Sequence, residues 1–153
     1  MLRTGNPLWG MLVFLILLFQ AHPVFSETGS GVADITTLVV TDNIVGYGTV
    51  AISDNEDQDV VEVHYTGWLY DAQAPDHKGK KCYSTIDGKP ISFKLGGERV
   101  PKGWNLGIPG MKVGGKRTLI IPPELAYGNR GRGPIPPNAT LIYEIELLNV
   151  IVK

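Results

Sequence analysis

The chain has 153 residues, which is room for one domain and little more. Its net charge of -1, with 19% charged residues, excludes a bulk attraction to nucleic acid or to an anionic membrane surface. Cys82 is the single cysteine, which excludes an intramolecular disulfide and a cysteine-based metal site.

The first 26 residues have the pattern of a cleavable signal peptide. Arg3 supplies the positive end, Leu8 to Phe19 form an almost uninterrupted apolar run, and Val24-Phe25-Ser26 offers a cleavage exit. A membrane span needs about 20 apolar residues, and this run is shorter. We therefore predict an exported protein without a stable membrane anchor after cleavage, and retention as an anchor is the alternative. Residues 27–44 are predicted to be a flexible lead-in, and residues 45–153 a single domain.

Short apolar groups separated by turn signals predict a β-rich domain. Alternation is clearest at Val61, Val63 and Tyr65, where a period of two means that one face of the strand is buried and the other is solvated. The predicted strands cover residues 38–40, 47–52, 60–70, 91–95, 118–121 and 140–152.

A sheet with one solvated face is ordinarily antiparallel and needs an apolar cover for its other face. The only candidate is a short helix within Trp104 to Met111, which Gly107, Pro109 and Gly110 limit to about two turns. One short helix on a half-wrapped sheet is an α+β domain.

No pattern of residues predicts covalent or metal chemistry. Serine, histidine and aspartate are scattered, without a glycine-flanked nucleophile or paired-histidine spacing. His64 in a strand and His77 in a charged loop are each better explained as solvated or hydrogen-bonded structural residues. We therefore predict no metal and no cofactor.

A set of aromatic and aliphatic residues lies beside the turns and could form either core or a pocket. Their spacing alone does not separate the two interpretations. The set comprises Tyr65, Phe93, Val100, Trp104, Tyr127, Ile135 and Tyr143.

Four blocks in the same order resemble the FKBP immunophilins, from Val45 to Val150. They are VHYTGWLYD from Val63, GKPISFKLG from Gly88, GWNLGIPGMKVGGKRTLIIPPELAYG from Gly103, and IPPNATLIYEIELLNV from Ile135. The chain is most similar in style to exported, single-domain bacterial members, which implies a periplasmic or secreted bacterial protein.

The resemblance implies a five- or six-stranded antiparallel sheet half-wrapped around one short helix. It also implies a peptidyl-prolyl cis/trans isomerase with a proline pocket between helix and sheet. Its clients would be proline-containing peptides or proteins, and macrolide inhibitors are a further implied ligand. The implied catalytic residues are Tyr65, Trp104 as the pocket floor, Tyr127 as a hydroxyl donor, and Tyr143. The implied substrate-binding residues are Ile91, Phe93, Val100, Pro101, Ile135, Cys82 and Tyr83.

The clearest departure from the family is Cys82-Tyr83, which stands where a Phe-Asp pair is usual. Cysteine is a smaller wall, and tyrosine offers a hydroxyl in place of a carboxylate. We expect an isomerase with weakened turnover and an altered preference before proline. A non-catalytic proline-segment binding or chaperone module is the alternative, and Cys82 as a regulatory thiol is a third possibility.

Overall fold

The computed structural model describes residues 34–53 and 58–152, which form six β-strands and one α-helix. The sheet starts at Val39, ahead of the domain boundary predicted at residue 45, so residues 39–44 belong to the sheet and not to a lead-in. The elements are β1 Val39–Ile44, β2 Val60–Tyr70, β3 Lys78–Ser84, β4 Ile91–Lys94, α1 Lys102–Gly107, β5 Lys116–Ile121 and β6 Leu141–Ile151.

The strands form one antiparallel sheet in the order β1-β5-β6-β2-β3, and β4 also pairs with β2. The two longest strands, β2 and β6, lie side by side at its centre. The free side of β2 is shared: its first half pairs with β4 and its second half with β3. The prediction of an α+β domain with five or six antiparallel strands and one short helix is confirmed, and the number of strands is six.

Alternation along the central strands places the core on one face of the sheet. Val61 and Val63 of β2 are fully buried, and Tyr143 and Ile145 of β6 are nearly so. Glu144 lies between the last two and is exposed. The period of two read from the sequence therefore identifies the buried face of β2 correctly. On β6 it is less regular, since Ile142, next to Tyr143, is also buried.

Two glycines let α1 lie directly on this face. A Cβ on Gly103 would come within 2.5 Å of Ile121, and one on Gly107 within 2.6 Å of Leu119, both on β5. These glycines are four residues apart and therefore share one side of the helix. The helix covers Lys102–Gly107, a little earlier than predicted, and ends before Pro109, which cannot continue it.

Two local predictions were wrong. Residues 47–52 do not form a strand; they make an isolated bridge between Val50 and Lys112, and Tyr47 is 95% exposed. Gly46 packs too closely on Lys112 and Gly115 for a Cβ, so this segment is a tight connection. Conversely, β3 was not predicted, because its run of lysines resembles a solvated loop.

The predicted signal peptide, residues 1–26, lies outside the described residues. Within residues 34–53 and 58–152, no helix is both long enough and apolar enough to cross a bilayer.

Candidate functional site

A cavity of about 170 Å³ lies between α1 and the concave face of the sheet. An engineered protein cavity of roughly 150 Å³ holds a benzene ring, so this volume accommodates a five-membered pyrrolidine ring. The residues that line it are Tyr65, Tyr83, Ile91, Arg99, Val100, Pro101, Trp104, Tyr127, Arg132 and Tyr143.

Trp104 is at the centre of an aromatic cluster and is only 2% exposed. Its ring centroid lies 4.9 Å from that of Tyr65 and 5.2 Å from that of Tyr143, both edge-on, and 5.6 Å from that of Phe93. Edge-to-face contacts of this kind fix ring orientation. Its indole Nε1 is the one buried side-chain nitrogen or oxygen atom, among the described residues, without a hydrogen-bond partner.

The wall residue Tyr143 depends on a glycine in the neighbouring strand. Gly67 pairs with Tyr143 in the register of β2 and β6, and a Cβ on Gly67 would lie 2.4 Å from Cε1 of Tyr143. The ring of Tyr143 therefore crosses β2 at the only kind of residue that leaves room for it.

The wall hydroxyls stay protonated. Burial raises the pKa of Tyr143 far above its usual range, and the neighbouring hydroxyl of Tyr127 raises it further. Burial also raises the pKa of Tyr65, with smaller contributions from Tyr127 and Tyr83. At physiological pH these phenols are neutral and can donate hydrogen bonds.

The rim consists of Val100 and Pro101, which immediately precede α1. Of these two residues, only Val100 can offer a backbone amide to a substrate, because proline has no N–H group. The carbonyl of Pro101 already accepts a hydrogen bond from the Trp104 amide at 2.9 Å. Side-chain hydroxyls must therefore supply more of the polar contacts.

Tyr83 spans one side of the cavity mouth. Its hydroxyl lies 2.5 Å from the position of a Cβ built on Gly133, a residue that has φ of +54°. Tyr83 on β3 thus reaches the loop before β6, where an aspartate would be too short to follow.

Three predicted site residues do not line the cavity. Phe93 packs beneath Trp104, and Ile135 is 3% exposed and belongs to the core. Cys82 packs against the core from β3, and its thiol lies 3.6 Å from the Lys80 carbonyl. Burial raises the pKa of Cys82, which disfavours the reactive thiolate that a regulatory thiol needs.

Sequence reasoning missed two cavity residues, Arg99 and Arg132. Arg99 immediately precedes Val100, and Arg132 lies three residues before Ile135, both of which were implied to bind substrate. Their neighbours in the sequence were the available signal, but their side-chain directions depend on the fold.

The arrangement suits binding and conformational chemistry. The cavity combines an apolar floor, neutral hydroxyl donors and no carboxylate in its lining. Across residues 34–53 and 58–152, no three histidine, cysteine, aspartate or glutamate side chains gather in a way that could hold a metal ion.

The profile of a family described as FKBP-type peptidyl-prolyl cis-trans isomerase matches residues 53–148. An FK506-binding protein of Neisseria meningitidis serogroup A is 46% identical over 116 residues, which cover 74% of this chain and 96% of that protein.

Solved structures of FKBP proteins are also similar to this chain. AtFKBP13 is similar with a TM-score of 0.63 and 39% identity, over 74% of this chain and 93% of the other. FkpA from Escherichia coli is similar with a TM-score of 0.63 and 40% identity, over 76% of this chain and 49% of the other.

Proposed function

Because the chain belongs to the family of FKBP-type peptidyl-prolyl cis-trans isomerases, we propose that it accelerates rotation about X-Pro bonds in the cavity over Trp104. The observation that carries the proposal is a vacant volume of about 170 Å³ bounded by Trp104, Tyr65, Tyr143 and Tyr127. A proline ring placed there would lie on the indole, with the X-Pro bond at the mouth.

The reaction needs a change of environment and no covalent step. Rotation is slow because amide resonance must be lost, at a barrier of about 18–20 kcal/mol. Water stabilises the charge separation of the planar amide, whereas the twisted amide has less charge to solvate. An apolar cavity therefore favours the twisted form relative to the planar one.

Hydrogen bonds add to this effect where they fit only the twisted geometry. Tyr127 is half-buried, lines the cavity and carries a hydroxyl that can donate to the carbonyl before proline. Such a bond can lower the barrier by about 1–3 kcal/mol. Val100 offers a rim amide, while Tyr65, Tyr143 and Ile91 wall the proline ring.

The test is an isomerisation assay on short X-Pro peptides with wild-type protein and Tyr127→Phe. The proposal predicts acceleration by wild type and a fall in kcat/KM of about tenfold when the hydroxyl is removed. Tyr70→Phe is the control, since Tyr70 stacks on His77 and does not line the cavity. Absence of acceleration by wild type across the panel would refute the proposal.

The same cavity is proposed to take FK506-like macrolides, as the names of its relatives suggest. A macrolide bound over Trp104 would compete with peptides for the apolar floor. Competition is expected to appear as a higher apparent KM for peptide at unchanged kcat.

A non-catalytic binding module is the second candidate, favoured by the missing N–H of Pro101 and by Tyr83. Pro101 removes an amide donor from the rim and Tyr83 replaces a carboxylate by a hydroxyl, while the cavity stays open. The double substitution Cys82→Phe and Tyr83→Asp discriminates between the candidates. A large gain in turnover from an undetectable starting activity would support the binding module, and a modest change from measurable activity would support the isomerase.

The clients are proposed to be exported proteins, and the protein itself periplasmic or secreted in a bacterium. Arg3, the apolar run of residues 8–19 and the exit at residues 24–26 support this.

A further inference from the structure

The mouth of the cavity carries positive charge without a neutralising carboxylate. Arg99 and Arg132 both line it and are exposed, and none of its lining residues is acidic. Neither arginine has a carboxylate within 4 Å among the described residues; the ion pairs found there are Lys78–Glu144, Lys116–Glu146 and Arg117–Asp42.

The backbone holds Arg132 in place. The Arg132 amide donates to the Ile135 carbonyl at 2.9 Å, and the Ile135 amide donates back to the Arg132 carbonyl at 2.9 Å. Since Ile135 is 3% exposed, this bridge anchors the loop in the core. Buried Ile135 thus positions Arg132, although it does not itself line the cavity.

The guanidinium of Arg132 is directed toward the reaction site. Its Cζ lies 5.5 Å from the centroid of the Tyr127 ring. Its charge also reaches the phenol of Tyr65, whose pKa it lowers against the larger effect of burial. Arg132 is therefore electrostatically coupled to two cavity tyrosines.

The adjoining groove does not cancel this charge. It shares Arg132, Val100, Pro101 and Tyr127 with the cavity, and it adds Lys102 and one carboxylate, Glu98. Across both surfaces the cationic side chains Arg99, Arg132 and Lys102 face the single carboxylate of Glu98.

We infer that this isomerase prefers substrates with an acidic residue immediately before proline, recognised by Arg132 and Arg99. The inference rests on the proposed function: with proline on Trp104 and its preceding carbonyl at Tyr127, the side chain of the preceding residue emerges beside Tyr127. Arg132 lies over that ring, and a carboxylate there gains charge-assisted hydrogen bonds that a neutral side chain lacks.

The experiment compares kcat/KM and Kd for peptides that differ only in Glu, Gln or Lys before proline. Glutamine matches glutamate in shape and isolates charge. Wild-type protein should prefer Glu over Gln by about fivefold and disfavour Lys. The double variant Arg99→Gln with Arg132→Gln should bring the Glu-to-Gln ratio of kcat/KM close to one. An ionic strength of about 1 M shortens the Debye length to about 3 Å, so it should reduce the same ratio in wild type.

Arg130→Gln is the matched control, because Arg130 is exposed in the same loop and does not line the cavity. It should keep the wild-type ratio. Equal values for Glu and Gln in wild type, a ratio that survives the double variant, or a ratio lost equally in R130Q would each overturn the inference. If no peptide is turned over, only the isomerase proposal is refuted. The ratios of Kd then still decide whether the cavity prefers an acidic residue before proline.

Discussion

At the scale of residues, aromatic side chains wall the cavity and two arginines lie at its mouth. Tyr65, Trp104, Tyr127 and Tyr143 lie together as the family resemblance implied. Arg99 and Arg132 were missed because a charged residue in a glycine-rich loop has no periodicity to reveal its direction. Cys82 was implied to bind substrate, but it packs against the core from β3 and does not line the cavity.

Substitution of Gly67 should test how the wall is positioned. Gly67→Ala would place a Cβ 2.4 Å from Cε1 of Tyr143, and overpacking of this kind costs about 1–3 kcal/mol. We expect a lower free energy of unfolding, measured by denaturant titration, together with a lower kcat/KM as Tyr143 moves.

Gly88→Ala is the control for this substitution. The nearest atom to a Cβ at Gly88 is the Thr85 carbonyl oxygen at 3.9 Å, an ordinary contact. Stability close to wild type in both glycine variants would contradict the proposed close approach of Tyr143 to β2.

At the scale of elements, one arginine connects three parts of the fold. Arg117 of β5 donates to Asp42 of β1 through Nε at 2.6 Å, and to the carbonyls of Gly107 and Pro109 at 2.7 and 3.2 Å. It therefore ties the edge strand and the end of α1 to β5. Periodicity predicted most strands, and α1 was predicted as the only candidate cover for the sheet. Neither periodicity nor the need for a cover predicts the contact between Asp42 and Arg117, which joins residues 75 positions apart.

The Asp42–Arg117 pair predicts a pH dependence of stability. The hydrogen bond from Arg117 lowers the pKa of Asp42 below its ordinary value of 3.8. A carboxyl with a lowered pKa stabilises the fold above its unfolded pKa, and this contribution is lost as pH falls through the folded pKa. Asp42→Asn should lower the free energy of unfolding by about 0.5–1 kcal/mol at pH 7, which is typical of an exposed ion pair.

Thermal unfolding across pH 2–7 measures the difference in stability between wild type and Asp42→Asn. This difference should shrink as pH falls below 3.8. Asp87→Asn, at an exposed aspartate outside the ion pairs of the described residues, should change stability little at any pH. A difference that grows toward low pH would contradict the assignment.

At the scale of the whole molecule, alternation and turn residues predicted a β-rich domain with one short helix, and the four matching blocks implied five or six strands. The strand β3 was not predicted, because Lys78, Lys80 and Lys81 look like a solvated loop when read alone. Its place is set by pairing with β2, a contact between distant parts of the chain. Pairing also brings Tyr83 to the cavity mouth, which no local pattern predicts.

Export is a prediction from the pattern of residues 1–26. Expression in a Gram-negative bacterium should yield a mature protein outside the cytoplasm that begins near Glu27, as determined by fractionation and N-terminal sequencing. Replacement of Leu15 and Leu17 by Arg interrupts the apolar run and should retain the protein inside the cell. Full-length protein in the cytoplasm, for wild type and for the variant alike, would rule out the signal peptide.

The central claim is that an X-Pro bond isomerises faster when its proline ring lies on the indole of Trp104 than it does in water. Two-dimensional NMR exchange spectroscopy of an X-Pro peptide with catalytic amounts of the protein tests both parts of it. We predict cis-trans exchange cross-peaks absent from the free peptide, together with intermolecular contacts between proline ring protons and Trp104. Exchange no faster than in free peptide, or contacts to another surface, would contradict the account.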